Sequence, residues 1–498
     1  ARIPLTTTDV GLRSERGPLL LALMLSTGLV AIDSTIIATA VPSIVKDIGG
    51  FSAFPWLFSI YLLAQAVTTP IYGKLADLFG RKPIMLLGIG FFLLGSIMCG
   101  FAWNIVVLIV FRAVQGLGAG AVFPMSITIV GDIYTVEERS RVQGYLASVW
   151  GISSVVGPTL GGVFSEYVSW RWIFFVNIPL CLAAATMIQR RFHEKVARSR
   201  PNIDYAGASV LTVGLTLVIL GVLEGGQAWS WGSVQSVVIL SVGAVLLIAF
   251  GFIEQRVSDP VLPLWVLRRR LLVTSSLASC GIGAVVLGLS SYIPTYVQGV
   301  LGTGPVIAGF ALATLTMGWP VAASQAGKVY LRIGFRVCSL IGSSVVVVGA
   351  ALLLLLGPSS PVVEVAAFCF VIGLGMGLSA TPSLIAAQTS VGWTERGVVT
   401  GTNMFFRSMG SAVGVAVFGA IWHHSLENGS LSHSIHNVYI AVLVVAVATV
   451  CVIALMPRDR QSRQPASSGS AVASTGAGSA ARADSASTPS ASRTTPAP

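Results

Sequence analysis

Between residues 18 and 456 the chain is a succession of apolar runs of about 20 residues, each long enough to cross a bilayer core. In hydrocarbon every backbone N–H and C=O must be satisfied within the protein, so runs of this length fold as helices. Fourteen can be counted, at 18–41, 54–73, 84–102, 105–130, 142–164, 172–190, 204–224, 234–256, 271–297, 304–327, 337–357, 362–388, 398–422 and 438–456. The expected fold class is an all-α polytopic membrane protein. Residues 54% hydrophobic and only 10% charged agree, because soluble domains carry about 25% charged residues.

The net charge of +11 does not point to nucleic acid. A nucleic-acid surface gathers Lys and Arg on one face, whereas here they fall in short loops after every second run. Arg13 and Arg16 precede the first span. Lys74, Arg81 and Lys82 follow the second, Arg139 and Arg141 the fourth, and Arg190, Arg191, Lys195, Arg198 and Arg200 the sixth. Beyond them Arg256 and Arg268–Arg270, Lys328, Arg332 and Arg336, Arg396, and Arg458 and Arg460 continue the alternation, while the opposite loops hold only Lys46 and Arg171. The positive-inside rule then puts both termini in the cytoplasm. The first run is long, carries an acid and has no small-residue cleavage pattern after it, so it is expected to stay as a span. Trp103, Trp170, Trp229, Trp231 and Trp422 fall near outer ends, as an aromatic belt does. Cys99, Cys181, Cys280, Cys338, Cys369 and Cys451 lie in apolar runs without CxxC spacing and read as small buried hydrophobes. Four of the five histidines, His423, His424, His433 and His436, share the last outer loop, but no acid or thiol completes a metal site.

The runs divide unequally. GKLADLFGRK at 73–82 closes span two, and GKVYLRIGFR at 327–336 closes span ten with Gly-Lys and Gly-x-Arg at the same offsets. Span nine is therefore the counterpart of span one, and spans seven and eight are an inserted pair. Internal repeats of this sort mark transporters, with the substrate site between the halves. The expected organisation is a cytoplasmic N-terminus (1–17), a six-helix bundle (18–190), a cytoplasmic linker (191–203), the inserted pair (204–256), a second linker (257–270), a second six-helix bundle (271–456) and a disordered cytoplasmic tail (457–498). The tail is rich in Ser, Ala, Thr, Pro and Gly and has too little apolar area to fold.

Four segments carry a specific resemblance. GKLADLFGRK matches the loop signature of the major facilitator superfamily, RAVQGLGAG at 112–120 resembles its fourth-span motif, and GPTLGG at 157–162 resembles the fifth-span motif of its antiporters. AIDST at 31–35, followed by Ala40 and Pro42, looks like the first-span signature of the fourteen-span drug:proton antiporters. Leu78 stands where the family often has a basic residue, and Ser153 where the fifth-span motif usually opens with Gly. The resemblance implies a major facilitator fold of fourteen helices arranged 6+2+6, active in multidrug efflux.

Each motif also has a physical reading. Gly73 and Gly80 permit a tight turn, and Asp77 can sit on a helix N-terminus, where the dipole favours an anion. The resemblance implies that this helix belongs to the other half, so that Gly73, Asp77, Gly80, Arg81 and Lys82 form a cytoplasmic gate. In GPTLGG, Pro158 removes a helix hydrogen bond while Gly157, Gly161 and Gly162 allow bending and close approach. Span thirteen is similarly rich in Gly, with Gly410 and Gly414 at small-xxx-small spacing.

An ionised Asp at the centre of a span costs roughly 2.5–3.5 kcal/mol on insertion scales. Asp33 and Arg112 each lie about eight residues, hence about 12 Å, below the outer boundary of spans one and four. Opposite charges level with each other in one half are natural partners, facing a cavity and serving as the proton-coupling pair. Gln115 shares the face of Arg112; Tyr61 and Gln65, Tyr292 and Tyr296, and Asn403 and Arg407 are further polar pairs on shared faces, read as candidate cavity residues. Glu224 and Glu254, near span ends in the inserted pair, read as snorkelling or boundary residues.

The function expected is a proton-coupled antiporter of the cell (plasma or inner) membrane that exports drugs or lipophilic or cationic compounds by alternating access. An exporter dedicated to one metabolite, antibiotic, siderophore or lipid is the alternative; a proton symporter and a non-transporting sensor stand behind it. No Walker motif, nucleophile constellation or soluble domain suggests an enzyme. No cofactor or metal is expected beyond the proton as coupling ion. The expected partners are a small amphiphilic substrate and the bilayer, not nucleic acid, and the protein is expected to work as a monomer.

Overall fold

The computed structural model describes residues 11–49, 53, 56–194, 204–225, 229–230, 232–257, 260, 265–428 and 431–458. The first ten residues, most of the linker 191–203, part of the linker 257–270 and the tail from 459 lie outside them, as do Trp231 and the side chains of His423 and His424. Among the described residues the chain is helical, with one isolated bridge between Gly225 and Trp229.

The first half comprises α1 (Gly17–Ile48), α2 (Trp56–Phe79), α3 (Arg81–Gly100), α4 (Ile105–Ile133), α5 (Val136–Tyr167), α6 (Trp172–Phe175) and α7 (Asn177–Arg191). Then come α8 (Tyr205–Glu224) and α9 (Val234–Glu254). The second half comprises α10 (Trp265–Arg268), α11 (Arg270–Gly299), α12 (Pro305–Ile333), α13 (Phe335–Leu353), α14 (Val362–Thr389), α15 (Arg396–Asn428) and α16 (Leu431–Ala454). Among the described residues eleven helical stretches are long and apolar enough to cross a membrane.

Local chemistry sets the helix ends. Asn104, Asp204 and Ser233 cap α4, α8 and α9 by accepting the N–H three residues on. Thr135 and Glu138 form a capping box that extends α5 six residues beyond the apolar run, to Val136. Gly80 and Gly334 hold φ of 99° and 88° between α2 and α3 and between α12 and α13. They occupy the same offset in the two echoing segments, and the backbone makes the same turn at both. Only Gly adopts that turn without a Cβ penalty.

The expected sixth span is interrupted. Pro179, in the first turn of α7, has no N–H for the carbonyl of Phe175, and the helix breaks at Val176. The break leaves Asn177, a buried residue, at the start of α7.

Each half has its own apolar core. In the first, Leu23, Val30, Tyr72, Phe92, Met125 and Cys181 come together from α1, α2, α3, α4 and α7; in the second, Leu289, Leu315, Val346, Ile372, Phe418 and Tyr439 come from α11 through α16. α8 and α9 pack on each other where Gly214, Gly221 and Gly243 meet Leu247, Leu240 and Val218, and α8 lies against α2 and α15. Leu211, Leu215 and Ile219 share an apolar cluster with Leu63 and Val67 of α2 and with Phe405 and Met409 of α15.

Some residues differ from expectation. Glu224 and Glu254 are only 5% and 4% exposed and do not snorkel. Trp170 is buried because its Nε1 donates to Asp47, which also pairs with Arg171 at 2.7 Å. Cys451 is exposed and Cys280 half-buried, while the other four cysteines are buried; all six are free thiols.

Candidate functional site

A polar cluster is closed inside the first half. Arg112 on α4 donates through Nη1 to Asp33 Oδ2 on α1 at 2.6 Å and to Gln115 Oε1 at 2.7 Å. Gln115 Nε2 donates to Asp33 Oδ1 at 2.7 Å and to Ser96 Oγ on α3 at 2.8 Å. Asn177 Nδ2 contributes weaker bonds to Asp33 Oδ1 (3.4 Å) and Ser96 Oγ (3.2 Å). Five side chains on four helices thus pair with one another, which offsets the cost of burying the ion pair, while Asn177 Oδ1 is buried without a partner among the described residues. Arg112 further donates through Nε to the carbonyl of Leu57, and its Cζ lies 4.2 Å from the ring centroid of Tyr61.

The pair does not face an open cavity as expected. Asp33 and Arg112 are each 1% exposed. Tyr61 closes over the guanidinium, so water reaches the pair only if α2 or Tyr61 moves.

A second charged cluster joins the halves. Asp77, at the end of α2, accepts the N–H groups of Gly397 (2.9 Å) and Val398 (2.7 Å) at the N-terminus of α15. This is the charge–dipole contact that a helix N-terminus offers an anion. Burial drives the Asp77 carboxyl up to about 7, against the opposing pull of Arg81 and of the two backbone donors. Arg81 pairs with Asp77 at 2.7 Å and with Asp132 at 3.0 Å, and lies 4.0 Å over the ring of Trp393. Asp132, at the end of α4, bridges to Arg396 at 3.0 Å, and Arg396 also donates to the carbonyl of Gly131. Lys82 donates to the carbonyl of Gln189, and Glu194 accepts the N–H groups of Arg81 and Lys82. Gly73 and Gly397 cross so closely that a Cβ on either would fall within 2.6 Å of the other's carbonyl oxygen. Gly80 makes the turn described above.

α5 and α12 form the other seam between halves. Tyr330 donates to the carbonyl of Val136, Gly144 lies against Ser324, and the hydroxyls of Ser154 and Thr316 are 3.4 Å apart. Within GPTLGG the glycines do different things. Gly157 meets Thr35 of α1, whose hydroxyl donates to the Ser153 carbonyl. Gly161 is buried, but Gly162 has no atom within 4 Å of where its Cβ would be and makes no close approach. Pro158 lies within α5, which continues past it to Tyr167. In α15, Gly410 and Gly414 pack on Cys280 and Ala284 of α11.

The candidate cavity residues scatter. Tyr61 and Gln115 belong to the sealed cluster. Asn403 is buried, accepting from Ser279 at 2.7 Å and donating to Ser275 at 3.1 Å, so it ties α15 to α11. Tyr296 is buried in the second half, donating to the Gly357 carbonyl and packing on Tyr439. Tyr292 packs on Trp422. Gln65 is half-buried on α2, and Arg407 is half-buried on α15 over the ring of Trp319.

Sequence reasoning missed Ser96 and Asn177, and in the second cluster Asp132, Glu194, Trp393 and Arg396. Two signals were available: Asn177 is an isolated amide in an apolar run two residues before Pro179, and Asp132 is a lone acid at the end of the apolar run of span four. Among the described residues no three His, Cys, Asp or Glu side chains could share a metal ion.

Comparison with known proteins places the chain in a family. The family model of the Major Facilitator Superfamily matches residues 23–415. Multidrug resistance protein 3 of Bacillus subtilis is 34% identical over 408 residues, 82% of this chain and 80% of that protein. Multidrug transporter protein MdtP of the same organism is 31% identical over 411 residues (82% and 76%), and efflux pump dotC of Dothistroma septosporum 30% over 415 residues (82% and 72%). The human organic anion transporter MFSD10 has the same fold at a TM-score of 0.64, covering 89% of this chain and all of that one, with 15% identity. The chain belongs to the major facilitator superfamily. It is a membrane-embedded transport protein and not an enzyme, and it has multidrug-efflux relatives.

Proposed function

We propose that the protein is a proton-coupled antiporter that exports lipophilic drugs from the cell by alternating access, with Asp33 as the proton-carrying group. The observation that carries this reading is the Asp33–Arg112 pair, a carboxylate and a guanidinium 2.6 Å apart within the bilayer depth. Removing one partner of such a pair typically costs 3–5 kcal/mol, because the other charge is left buried and alone. A proton on Asp33 loosens its hold on Arg112 and frees the α1–α4 contact; loss of the proton restores it. Coupling that step to substrate exchange gives antiport. Each net charge moved is worth about 2.3 kcal/mol per 100 mV of membrane potential.

The architecture proposed is fourteen spans, with α6 and α7 together forming the sixth and α10 a short lead-in to α11. They are arranged 6+2+6, with α8 and α9 as the inserted pair, and both termini are cytoplasmic in the plasma or inner membrane. On that reading the loops joined by Asp77, Arg81, Asp132 and Arg396 lie on the cytoplasmic side, and their engaged contacts support an outward-facing state. No cofactor takes part, and the monomer is the working unit. The names of the two bacterial relatives support multidrug substrates over a single dedicated metabolite.

The test is dye efflux in inverted vesicles under an imposed pH gradient. Wild-type protein is expected to move dye when the gradient is applied and to stop when it is collapsed. Asp33→Asn is expected to abolish gradient-driven movement. Full gradient-driven efflux by that variant rejects the role of Asp33.

A further inference from the structure

The buried guanidinium groups Arg112, Arg81 and Arg139 each donate to at least two acceptors, although Arg139 Nη1 finds none among the described residues. Arg112 has Asp33, Arg81 has Asp77 and Asp132, and Arg139 donates to the carbonyls of Gly131 and Tyr134. Arg407 differs. It lies within the apolar length of α15, and among the described residues no carboxylate is within 4.0 Å of it and no acceptor takes its N–H groups. Its one neighbour of note is the indole of Trp319 on α12, 4.6 Å from the guanidinium carbon to the ring centroid. A ring face attracts a cation but takes up none of its five donors.

Its position is as informative as its lack of a partner. Met404 joins Ile127 of α4 and Leu384 of α14 in an apolar cluster, with Phe123 against it, and this cluster connects the two halves. Phe123 in turn packs edge-on against Trp150 of α5. Arg407 follows Met404 by three residues, so the two share a helix face and Arg407 sits one turn farther from the gate end of α15. Its side chain is half-buried and thus still reachable. Asn403, the neighbouring amide one turn nearer the gate, is already occupied by Ser275 and Ser279. The carboxylates of the spans are elsewhere: Asp33 is sealed under Tyr61, and Asp132 is bound to Arg81 and Arg396.

We infer that Arg407 and Trp319 form the charge-reading part of the substrate site, and that the substrates are amphiphiles with an anionic group, a carboxylate or sulfonate, on an aromatic body. The planar guanidinium fork matches such an oxyanion in bidentate fashion. Trp319 offers the aromatic body an apolar ring beside the charge, and the Met404 cluster lies on the gate side of it. An unpaired guanidinium at membrane depth is costly, and an anionic substrate removes that cost as it binds. This inference rests on the transport reading above and replaces the cationic substrates expected from sequence, because no free carboxylate stands beside Arg407 to receive a cation.

The test uses two xanthene dyes of like shape and opposite charge, fluorescein and rhodamine 123. Binding is measured by fluorescence anisotropy on purified full-length protein in detergent, with no gradient present, so that it does not depend on proton coupling. Wild type is expected to bind fluorescein more tightly than rhodamine 123. Arg407→Gln is expected to weaken fluorescein binding by at least about tenfold, the loss of one charged hydrogen-bonded contact, and to leave rhodamine 123 no weaker. Arg407→Lys, which keeps the charge but not the fork, is expected to fall between, and its normal thermal unfolding guards against misfolding. Equal fluorescein affinity in wild type and Arg407→Gln overturns the inference, as does a wild type that prefers rhodamine 123 or binds neither dye. Inverted vesicles then separate the two readings. Fluorescein bound through Arg407 but not moved by a pH gradient leaves the site standing and removes the antiport.

Discussion

Tyr61 lies beneath the guanidinium of Arg112, 4.2 Å from ring centroid to Cζ, while its own hydroxyl is buried without a partner among the described residues. The ring therefore does the sealing, and the hydroxyl is a cost: a buried unsatisfied group is worth about 1–3 kcal/mol of destabilisation. Tyr61→Phe is expected to unfold at the same temperature as wild type or higher, measured on purified protein in detergent. Tyr61→Ala removes the ring and should destabilise by about 3–5 kcal/mol, as large aromatic truncations do. A lower midpoint for Tyr61→Phe would mean that the hydroxyl finds a partner in the state the protein occupies.

The pair beneath that ring predicts an asymmetry. Arg112→Gln leaves Asp33 with Gln115 and Asn177 as its donors but no counter-charge, and should cost about 3–5 kcal/mol. Asp33→Asn leaves Arg112 with Gln115 and the Leu57 carbonyl, and should be damaging as well. The double variant removes both charges and is expected to recover at least half of the larger single loss, because buried ion pairs replaced together are often neutral. Chemical-denaturant unfolding in detergent measures the cycle. Recovered stability without recovered gradient-driven efflux would separate what the pair does for the fold from what it does for transport.

Much of this cluster is legible in the sequence because helix rise is fixed. Asp33 and Arg112 stand at matching depths once span ends are placed, and charges so scarce in apolar runs have few other partners. Gln115, three residues from Arg112, follows from helix periodicity alone. Asn177 and Ser96 do not, since helices apolar on every side give no sign of which face meets which neighbour. The same blindness made Asn403 and Tyr296 look like cavity residues when an interhelical hydrogen bond to Ser279 engages the first and a bond to the Gly357 loop carbonyl engages the second, both being buried. The segment 73–82 gives Asp77 a helix N-terminus to meet, but Asp132, Trp393 and Arg396 join it only through the tertiary meeting of α2, α4 and α15. Glu224 and Glu254 sit near helix ends and look like boundary residues, yet packing in the inserted pair buries them.

The crossing of Gly73 and Gly397 gives a prediction independent of charge. A Cβ added at Gly73 would lie 2.6 Å from the Gly397 oxygen, and one at Gly397 would lie 2.5 Å from that of Gly73. At Gly73 the nearest atoms are all backbone, so nothing flexible can give way, whereas a Cβ at Gly397 would also meet the Asp77 carboxylate at 2.6 Å. Gly73→Ala or Gly397→Ala should therefore separate α2 from α15 at this end and deplete the state described here, while leaving each half folded. Electron–electron distance measurements between spin labels on the two loops should show the short distance lost or much reduced. An unchanged distance distribution in Gly397→Ala would show that the crossing is softer than its spacing implies.

Asp77 adds a pH dependence whose sign is opposite to intuition. Its carboxyl, ordinarily near 3.8, is raised to about 7 while buried at this junction, chiefly by desolvation, with Asp132 pushing the same way and Arg81 and the Gly397 and Val398 N–H groups opposing. In the separated state the carboxyl faces water and returns toward its ordinary value, so the joined state binds the extra proton. By linkage, lowering the pH favours the state that binds more protons. The joined population should rise as pH falls through about 7 and level off below about 4, although the neutral acid is the weaker acceptor for Gly397 and Val398. Asp77→Asn, which is uncharged at every pH, is expected to flatten that titration in the same spin-label measurement, with the fold of each half unchanged. A joined fraction that instead rises with pH, and does so only when Asp77 is present, would mean that the charge–dipole contact outweighs the cost of burial.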